Sequence, residues 1–282
     1  MELKELATEA KNTWCPGCGN FAILTSIKTV LKVLVEEGTP VENVVLVSGI
    51  GCHAKIVDYV NVNSFYSIHG RVTPAAEGMK IANPNLKVIG FAGDGDAYGE
   101  GLEHLLFAAK RNIDITMIIH NNRVYGLTTG QYTPTSPQGF KGKSTPGGSI
   151  ELPINPLELL LASGAGFVAR AYSGNLELMK RVFTAAIAHK GFAIVDVLQV
   201  CATFFNAYKL YNEKVCELKD HDPADFAEAH RRAREWDYNS VAPISLGVFY
   251  AKETPTFEEK VQVARLEAGE RQARIAALLG KT

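Results

Sequence analysis

The chain has 282 residues, of which 46% are hydrophobic, so it is long enough for one large domain with a buried core. Its 29 Lys and Arg residues balance 30 Asp and Glu residues, and the formal charge is −1. This balance leaves no basic excess to neutralise phosphates and argues against a nucleic-acid partner. Glu2 and Glu5 lie where a secretory signal needs basic residues, and no apolar run reaches the ~20 residues of a membrane span. We therefore expect a cytoplasmic protein with no membrane partner.

Apolar runs alternate with segments of helical periodicity. The runs that indicate buried strands are residues 44–47, 87–91, 115–119 and 192–198. The helical segments are residues 21–37, 74–82, 101–112, 156–163 and 176–189. The alternation predicts an α/β fold, a mainly parallel sheet with helices on both faces.

Two regions depart from this alternation. Residues 128–153 are rich in Gly, Pro, Ser and Thr, and a connection of that length is usually functional or mobile. From about residue 211 the sequence becomes rich in charge, with a final helical segment near residues 257–279. We predict one domain at residues 1–210 and a C-terminal extension at residues 211–282.

An acidic turn follows the second apolar run. Gly93-Asp94-Gly95-Asp96 lies at the carboxyl end of a predicted strand, where open α/β sheets bind ligands. The glycines let a phosphate approach the backbone, and Asp94 supplies an oxygen of the kind that Mg²⁺ prefers. Asn121-Asn122 ends the next strand, with Asn122 28 residues beyond Asp94. If the two strands are neighbours, the pair, typical of thiamine diphosphate binding, predicts one magnesium ion bound by Asp94 and Asn122 at the same sheet edge. A backbone carbonyl such as that of Val124 and a water would complete its shell.

An acidic turn flanked by glycines also occurs in three simpler settings. Gly-Asp-Gly alone suits any reversal of the chain. An EF-hand loop beginning at Asp94 places Leu105 where a bidentate Glu is required. A dinucleotide fingerprint needs a third glycine where Tyr98 stands. The paired signature is therefore more informative than either half.

Five cysteines are present, and an odd number argues for metal binding, redox chemistry or burial over a disulfide framework. Cys15 and Cys18 form a C-x-x-C motif, which suits ligation or a redox disulfide, although no predicted strand precedes it as in a thioredoxin-like fold. Cys52 and Cys201 each follow a predicted strand end, so four thiolates converge on one sheet edge. They fit a tetrahedral zinc or a 4Fe-4S cluster, and their spacing does not choose between the two. Cys216 has no partner motif and is predicted to be a plain thiol.

Taken together, these motifs resemble the β subunit of the 2-oxoacid:ferredoxin oxidoreductases, the thiamine-diphosphate-binding subunit, from Trp14 to about Asn206. The family's W-C-P-G-C-G, G-I-G-C, H-G-R, G-D-G-D and N-N-x-V-Y-G-L-T-x-G-Q-x-x-P-T are present as residues 14–19, 49–52, 69–71, 93–96 and 121–135. The resemblance implies the thiamine-diphosphate-binding fold. It also implies a 4Fe-4S cluster on Cys15, Cys18, Cys52 and Cys201.

Further site residues follow from the same resemblance. Mg²⁺ is expected on Asp94, Asn122 and the Val124 carbonyl. The residues expected to bind thiamine diphosphate are Ile50, Gly51, Cys52, His53, Gly93, Asp94, Gly95, Asp96, Gly126 and Leu127. His53 and His69 are candidates for proton transfer beside the thiazolium, or structural histidines in packed turns.

The implied activity is a coenzyme-A-dependent oxidative decarboxylation of a 2-oxoacid, such as pyruvate or 2-oxoglutarate, to acyl-CoA and CO₂. Electrons would pass through the 4Fe-4S cluster to ferredoxin. In this family the glutamate that activates the aminopyrimidine, and much of the substrate pocket, come from the α (or α and γ) subunit, so the chain is catalytic only with its partner. Thr129 stands where several members carry Lys, and substrate preference is therefore not transferred.

Two rival functions stay open at this point. A non-redox thiamine-diphosphate decarboxylase or synthase of the acetolactate-synthase type shares the paired signature but has no use for four cysteines. A non-catalytic, zinc-stapled binding module would use the cysteines but not Asp94.

Overall fold

The computed structural model describes residues 3–261 and 268–280. Within these ranges one eight-stranded sheet organises the chain: β1 Val44–Ser48, β2 Asn63–Tyr66, β3 Lys87–Gly93, β4 Thr116–Asn121, β5 Phe167–Tyr172, β6 Ala193–Leu198, β7 Val215–Glu217 and β8 Ile244–Ala251. The spatial order is β2-β1-β3-β4-β6-β5-β8-β7. The first six strands of that order pair in parallel, β8 joins β5 antiparallel, and β7 is parallel to β8.

The helices within the described ranges are α1 Asn20–Glu36, α2 Val72–Ala82, α3 Leu102–Arg111, α4 Pro156–Ala162, α5 Leu176–Ala188, α6 Tyr208–Lys214, α7 Phe226–Ala233, α8 Phe257–Lys260 and α9 Ala268–Leu279. Shorter helical turns cover Val41–Asn43, Cys52–Asp58 and Gly95–Glu100. Of the helices in these ranges, none has the length and apolarity that crossing a bilayer requires.

Helices cover both faces of the sheet, which explains why its central strands read as unbroken apolar runs. Every residue of β4, β5 and β6 is buried. Helices α1 and α5 pack together on one face, and α2, α3, α4 and α7 form a layer on the other. The predicted α/β class, a mainly parallel sheet with helices on both faces, is confirmed.

The predicted elements coincide with β1, β3, β4, β6 and α1 to α5, with ends that differ by one or two residues. Sequence reasoning missed β5 and β8, which stand side by side in the sheet. In β5 the charged Arg170 interrupts the apolar run, yet its side chain is only 1% exposed. Of the predicted final helix, α8 and α9 are described, and residues 262–267 lie outside the described residues.

The C-terminal region is joined to the rest of the chain through the sheet itself, because β8 pairs with β5 and β7 pairs with β8. Asn112, in the left-handed conformation that ends α3, also donates from its side chain to the Thr254 carbonyl at 3.0 Å. The division into two domains at residue 210 stays a prediction.

Candidate functional site

The carboxyl ends of four neighbouring strands form the candidate site. In the sheet β1, β3, β4 and β6 lie side by side in parallel, so the loops that follow them emerge at one edge. Each of these loops holds one of the motifs found in the sequence. They are residues 49–52 with Cys52 after β1, the acidic turn 93–96 at the end of β3, the asparagines 121–122 at the end of β4, and residues 199–201 with Cys201 after β6. The structure therefore brings the acidic turn, the asparagines and two of the cysteines together.

A small cavity of about 70 Å³ lies between the loops after β1, β3 and β4. Every residue expected to bind the cofactor lines it, as do His69, Asn122 and Val124. Sequence reasoning did not assign Tyr125 and Thr128, which line it as well. The volume is well below the ~300–1,000 Å³ of typical ligand pockets.

Glycines are required where the backbone forms the wall of the small cavity. A Cβ on Gly93 would lie 2.9 Å from His53 Nδ1, and one on Gly95 would overlap the Tyr125 ring. Gly51 has φ 142°, a backbone conformation that side chains disfavour. A side chain at any of these positions would therefore disturb the wall of the small cavity.

Asp94 is a buried carboxylate at the base of the small cavity, with 1% of its surface exposed. Thr135 Oγ1 donates to Asp94 Oδ2 at 2.8 Å. Burial raises the pKa of Asp94 to about 6, while hydrogen bonds from Thr133 and Thr135 act to lower it. An ionised carboxylate is costly in a buried place unless a positive charge lies beside it. A bound divalent cation would supply that positive charge.

Asn122, the second expected magnesium ligand, is shaped by its own loop. Its Oδ1 accepts a hydrogen bond from the Val124 N–H at 3.1 Å, which closes a tight turn after β4. Arg123 within this turn has φ 62°, in the left-handed region. The turn places the Asn122 side chain and Val124 on the wall of the same cavity as Asp94.

Two histidines flank the buried carboxylate of Asp96. Asp96 Oδ2 lies 3.3 Å from His53 Nε2, and Oδ1 lies 3.0 Å from His69 Nδ1. The Gly70 N–H also donates to Oδ1 at 2.6 Å. Because Asp96 is only 2% exposed, both rings lie against a buried carboxylate.

His120 forms a second layer behind His53. Its ring centre lies 5.7 Å from that of His53, and its Nδ1 lies 2.8 Å from Asn20 Oδ1. Burial holds the pKa of His120 well below its usual value, so the ring is neutral. Asn20 lies at the start of α1, just after the C-x-x-C, and so connects this layer to the cysteines.

A larger cavity of about 280 Å³, here named the thiol cavity, is lined by Cys15, Cys18, Cys52 and Cys201. A Cβ on Gly126 would lie 3.6 Å from Cys52 Sγ and 3.8 Å from Cys201 Sγ, so both sulfurs face one point of the backbone. Cys216 is exposed and does not line this cavity.

Polar groups surround these sulfurs. Gln199 Nε2 donates to Cys18 Sγ at 3.5 Å, and Trp14 Nε1 donates to the Cys52 carbonyl at 2.6 Å. Burial, reinforced by the three other cysteines of the cavity, raises the pKa of Cys18 to about 12. Among residues 3–261 and 268–280, no group of three or more His, Cys, Asp or Glu side chains is arranged to hold one metal ion.

The two cavities share a wall. Gly51, Cys52 and Gly126 line both of them, together with Ile50, Asn122 and Leu127. Cys52 is thus the cysteine that the loop after β1 places between the cofactor residues and the other thiols.

Several residues around Asp94 had no assigned role in the sequence. Thr135 belongs to the quoted N-N…P-T motif, and Asn121 Oδ1 lies 2.9 Å from its hydroxyl. Asn121 in turn donates to Asp196 Oδ1 at 3.0 Å. An acidic residue inside the apolar run of β6 was the signal that could have identified Asp196 as a buried, partnered group.

Comparisons with known proteins agree with this geometry. Residues 49–197 match the family model described as the C-terminal TPP binding domain of thiamine pyrophosphate (thiamine diphosphate) enzymes. Residues 201–265 match the C-terminal model of the pyruvate ferredoxin oxidoreductase β subunit. The two matches meet at Cys201, between β6 and the C-terminal region.

Individual relatives cover most of the chain. Subunit β of 2-oxoacid:ferredoxin oxidoreductase 1 from Aeropyrum pernix is 42% identical over 90% of this chain and 82% of its own length. 2-Oxoglutarate synthase subunit KorB from Archaeoglobus fulgidus is 35% identical over 93% of both chains. The solved 2-oxoglutarate:ferredoxin oxidoreductase from Magnetococcus marinus, with 2-oxoglutarate, coenzyme A and succinyl-CoA bound, aligns with a TM-score of 0.88 at 32% identity, over 99% of this chain and 96% of that one. The chain therefore belongs to the family of 2-oxoacid:ferredoxin oxidoreductase β subunits, and residues 49–197 are its thiamine diphosphate-binding domain.

Proposed function

We propose that this chain, together with partner subunits, catalyses the coenzyme-A-dependent oxidative decarboxylation of a 2-oxoacid and passes the electrons through a 4Fe-4S cluster to ferredoxin. The observation that carries this proposal is the wall shared by the two cavities, at Gly51, Cys52 and Gly126. A cofactor site and a set of thiols that share a wall give electrons a short path from the reacting centre.

The residues around Asp94 fit a magnesium ion and a diphosphate. Asp94 would bind the ion through its carboxylate, which Thr135 holds at Oδ2. Asn122 and the Val124 carbonyl would supply further oxygens, and the remaining positions suit diphosphate oxygens and water. The backbone at Gly93 and Gly95, which lines the small cavity, would bind the diphosphate.

The thiols fit a cluster better than a single zinc ion. Zinc holds its sulfurs about 2.3 Å from one centre, whereas each thiolate of a 4Fe-4S cluster binds a different iron and the sulfurs lie farther apart. Cys15, Cys18, Cys52 and Cys201 line a cavity of about 280 Å³ that shares a wall with the cofactor residues. An electron acceptor in that position would have a chemical purpose beside thiamine diphosphate, which favours these four cysteines as cluster ligands over the zinc-stapled module.

Bound thiamine diphosphate supplies the chemistry that cleaves the bond between the carboxylate and the 2-oxo carbon. The chain's own contribution is to position and protonate. Asp96 orients His53 and His69. His69 is the more exposed of the two rings, so it is the one that can exchange a proton between the small cavity and solvent. His120, which burial keeps neutral, packs behind His53 with ring centres 5.7 Å apart.

Partner subunits would complete the site. No glutamate is found among the described residues that line the small cavity, although thiamine chemistry needs one at the aminopyrimidine. The exposed side chains of Ile50 and Leu127, 41% and 60% accessible, rim the two cavities and suit contact with another subunit. The known relatives act on 2-oxoacids, including 2-oxoglutarate, and we propose this substrate class here.

The test uses the complex purified anaerobically with its partner subunits. Asp94→Asn keeps the shape of the side chain but removes the charge, and we expect it to abolish thiamine diphosphate binding and 2-oxoacid-dependent ferredoxin reduction. Asp222→Asn, at a residue outside both cavities that caps the Ala224 N–H at 2.9 Å, is the matched control and should retain both. A wild-type complex that releases CO₂ from pyruvate or 2-oxoglutarate without reducing ferredoxin would instead indicate the non-redox decarboxylase.

A further inference from the structure

Tyr238, in the C-terminal region between α7 and β8, is held in a strained and fully buried position. It is 1% exposed, its ring stacks on Trp236 with centroids 4.2 Å apart, and its φ is 63°. A bulky residue in the left-handed region is strained and persists only where its surroundings hold it there. The contacts that hold Tyr238 lead to the cofactor site.

A first route runs through side chains. The Tyr238 hydroxyl donates to Asp196 Oδ2 at 2.7 Å, while Arg170 Nη2 donates to that hydroxyl at 3.1 Å. Asp196 Oδ1 accepts from Asn121 Nδ2 at 3.0 Å, and also from Tyr98 at 2.9 Å. With its amide nitrogen turned to Asp196, Asn121 must turn its oxygen to Thr135.

A second route runs through the backbone. The Tyr238 carbonyl accepts a hydrogen bond from Arg123 Nη2, and Arg123 Nε donates to the Thr135 carbonyl at 2.7 Å. Arg123 is itself in the left-handed region, at φ 62°. Tyr238 is thus linked to the Thr135 hydroxyl through Asp196 and Asn121. It is linked to the Thr135 carbonyl through Arg123.

Thr135 has one hydroxyl proton and two acceptors within reach, Asp94 Oδ2 at 2.8 Å and Asn121 Oδ1 at 2.9 Å. A hydrogen bond to a charged carboxylate is about twice as strong as one to a neutral amide, so the proton goes to Asp94. This bond restrains the carboxylate of Asp94, which lines the small cavity where the cation would bind.

We propose that Tyr238 is a positioning residue for the metal-binding carboxylate of Asp94, so that the C-terminal region sets the affinity of the site for its divalent cation. The inference rests on the proposed function, since it requires Mg²⁺ at Asp94. It assigns a role to a segment that contributes no residue to the small cavity among those described.

The test compares Tyr238→Phe with Tyr172→Phe in the full-length chain, purified with its partner subunits. Both tyrosines are no more than 2% exposed. The Tyr172 hydroxyl donates to Asn212 Oδ1 at 2.7 Å, and Asn212 is not among the residues that link Tyr238 to Asp94. Mg²⁺ is titrated at a fixed, saturating concentration of thiamine diphosphate and binding is followed by calorimetry, with urea unfolding measured in parallel. We expect Tyr238→Phe to raise the half-saturating Mg²⁺ concentration about tenfold or more, and Tyr172→Phe to leave it unchanged.

An unchanged Mg²⁺ affinity in Tyr238→Phe would overturn the inference, as would an equal loss in Tyr172→Phe, which would reflect general loosening. Should Tyr238→Phe fail to accumulate as folded protein, Tyr98→Phe removes the other hydroxyl from Asp196. We expect the same rise in the half-saturating Mg²⁺ concentration, and an unchanged Mg²⁺ affinity would again overturn the inference. A wild-type complex that binds thiamine diphosphate without any divalent cation would refute the metal assignment of the proposed function, and the inference with it. Wild-type cation binding with no effect of either variant would refute the inference alone.

Discussion

Replacing Gly49 by alanine is expected to displace Asp96 and, with it, both histidines of the small cavity. A Cβ on Gly49 would lie 2.7 Å from Asp96 Cγ and 2.8 Å from Val72 Cγ2, and closer still to Asp96 Oδ2. Ordinary contact begins near 3.4 Å, so Asp96 Cγ must move away by at least 0.7 Å. The carboxylate cannot make that movement and keep the Gly70 N–H at 2.6 Å and His69 at 3.0 Å.

The expected cost of Gly49→Ala has two parts. Overpacking costs about 1–3 kcal/mol, and a lost hydrogen bond to a charged group costs about 1.5–3 kcal/mol. We therefore expect a loss of roughly 3–5 kcal/mol in the free energy of unfolding, together with weaker binding of thiamine diphosphate, since His53 and Asp96 line its cavity.

Urea denaturation and calorimetric titration with thiamine diphosphate and Mg²⁺ measure the two effects. Gly78→Ala is the matched control, because Gly78 lies within α2 and a Cβ there meets nothing within 4 Å. That variant should gain about 0.5–1 kcal/mol, the usual advantage of alanine over glycine inside a helix. Wild-type stability and cofactor affinity in Gly49→Ala would refute the role given to the close approach of Gly49 to Asp96.

Three further predictions concern other parts of the chain. Trp14→Phe removes the hydrogen bond to the Cys52 carbonyl, so we expect faster loss of iron in air than in wild type, and equal rates would contradict this. Thr129, at φ 76°, is β-branched in the left-handed region; Thr129→Asn should raise the free energy of unfolding by about 1 kcal/mol in urea, and a loss would count against backbone strain there. Burial lowers the pKa of His189 below its usual 6.5. Below pH 6.5 the unfolded chain therefore binds a proton at this histidine that the folded chain does not bind, and the free energy of unfolding decreases as pH falls. His189→Gln should flatten this dependence in urea unfolding at pH 7 and pH 5.5, whereas an undiminished slope would assign it to other groups.

The sequence was most informative about the buried parallel strands and about the polar residues that follow them. Unbroken apolar runs predicted β1, β3, β4 and β6, since only strands covered on both faces tolerate them. The polar residues that follow those runs predicted one shared edge, because parallel strands end together. Asp94 and Asn122 could therefore be placed near each other on the condition that their strands are neighbours, and the pairing of β3 with β4 meets that condition.

Contacts made by the C-terminal region could not be predicted in this way. The pairing of β8 with β5 joins residues far apart in sequence, and neither strand has the plain apolar pattern of the others. Likewise the link from Tyr238 to Asp94 passes through Asp196, which belongs to none of the quoted motifs, and then through Asn121 and Thr135, the two ends of the asparagine motif. Such a network is defined by geometry in three dimensions and leaves only one trace in the sequence, an acidic residue within an apolar strand.

Iron and acid-labile sulfide content of the anaerobically purified complex, measured for the wild type, Cys201→Ser and Cys216→Ser, tests the central claim most directly. Cys201 lines the thiol cavity, whereas Cys216 is exposed outside it and provides the same chemical change as a control. We expect about four irons and four sulfides per chain beyond those of the partner subunits in the wild type and in Cys216→Ser, with a marked loss in Cys201→Ser. Absence of iron and sulfide from the wild-type chain, or an equal loss in both variants, would contradict the account.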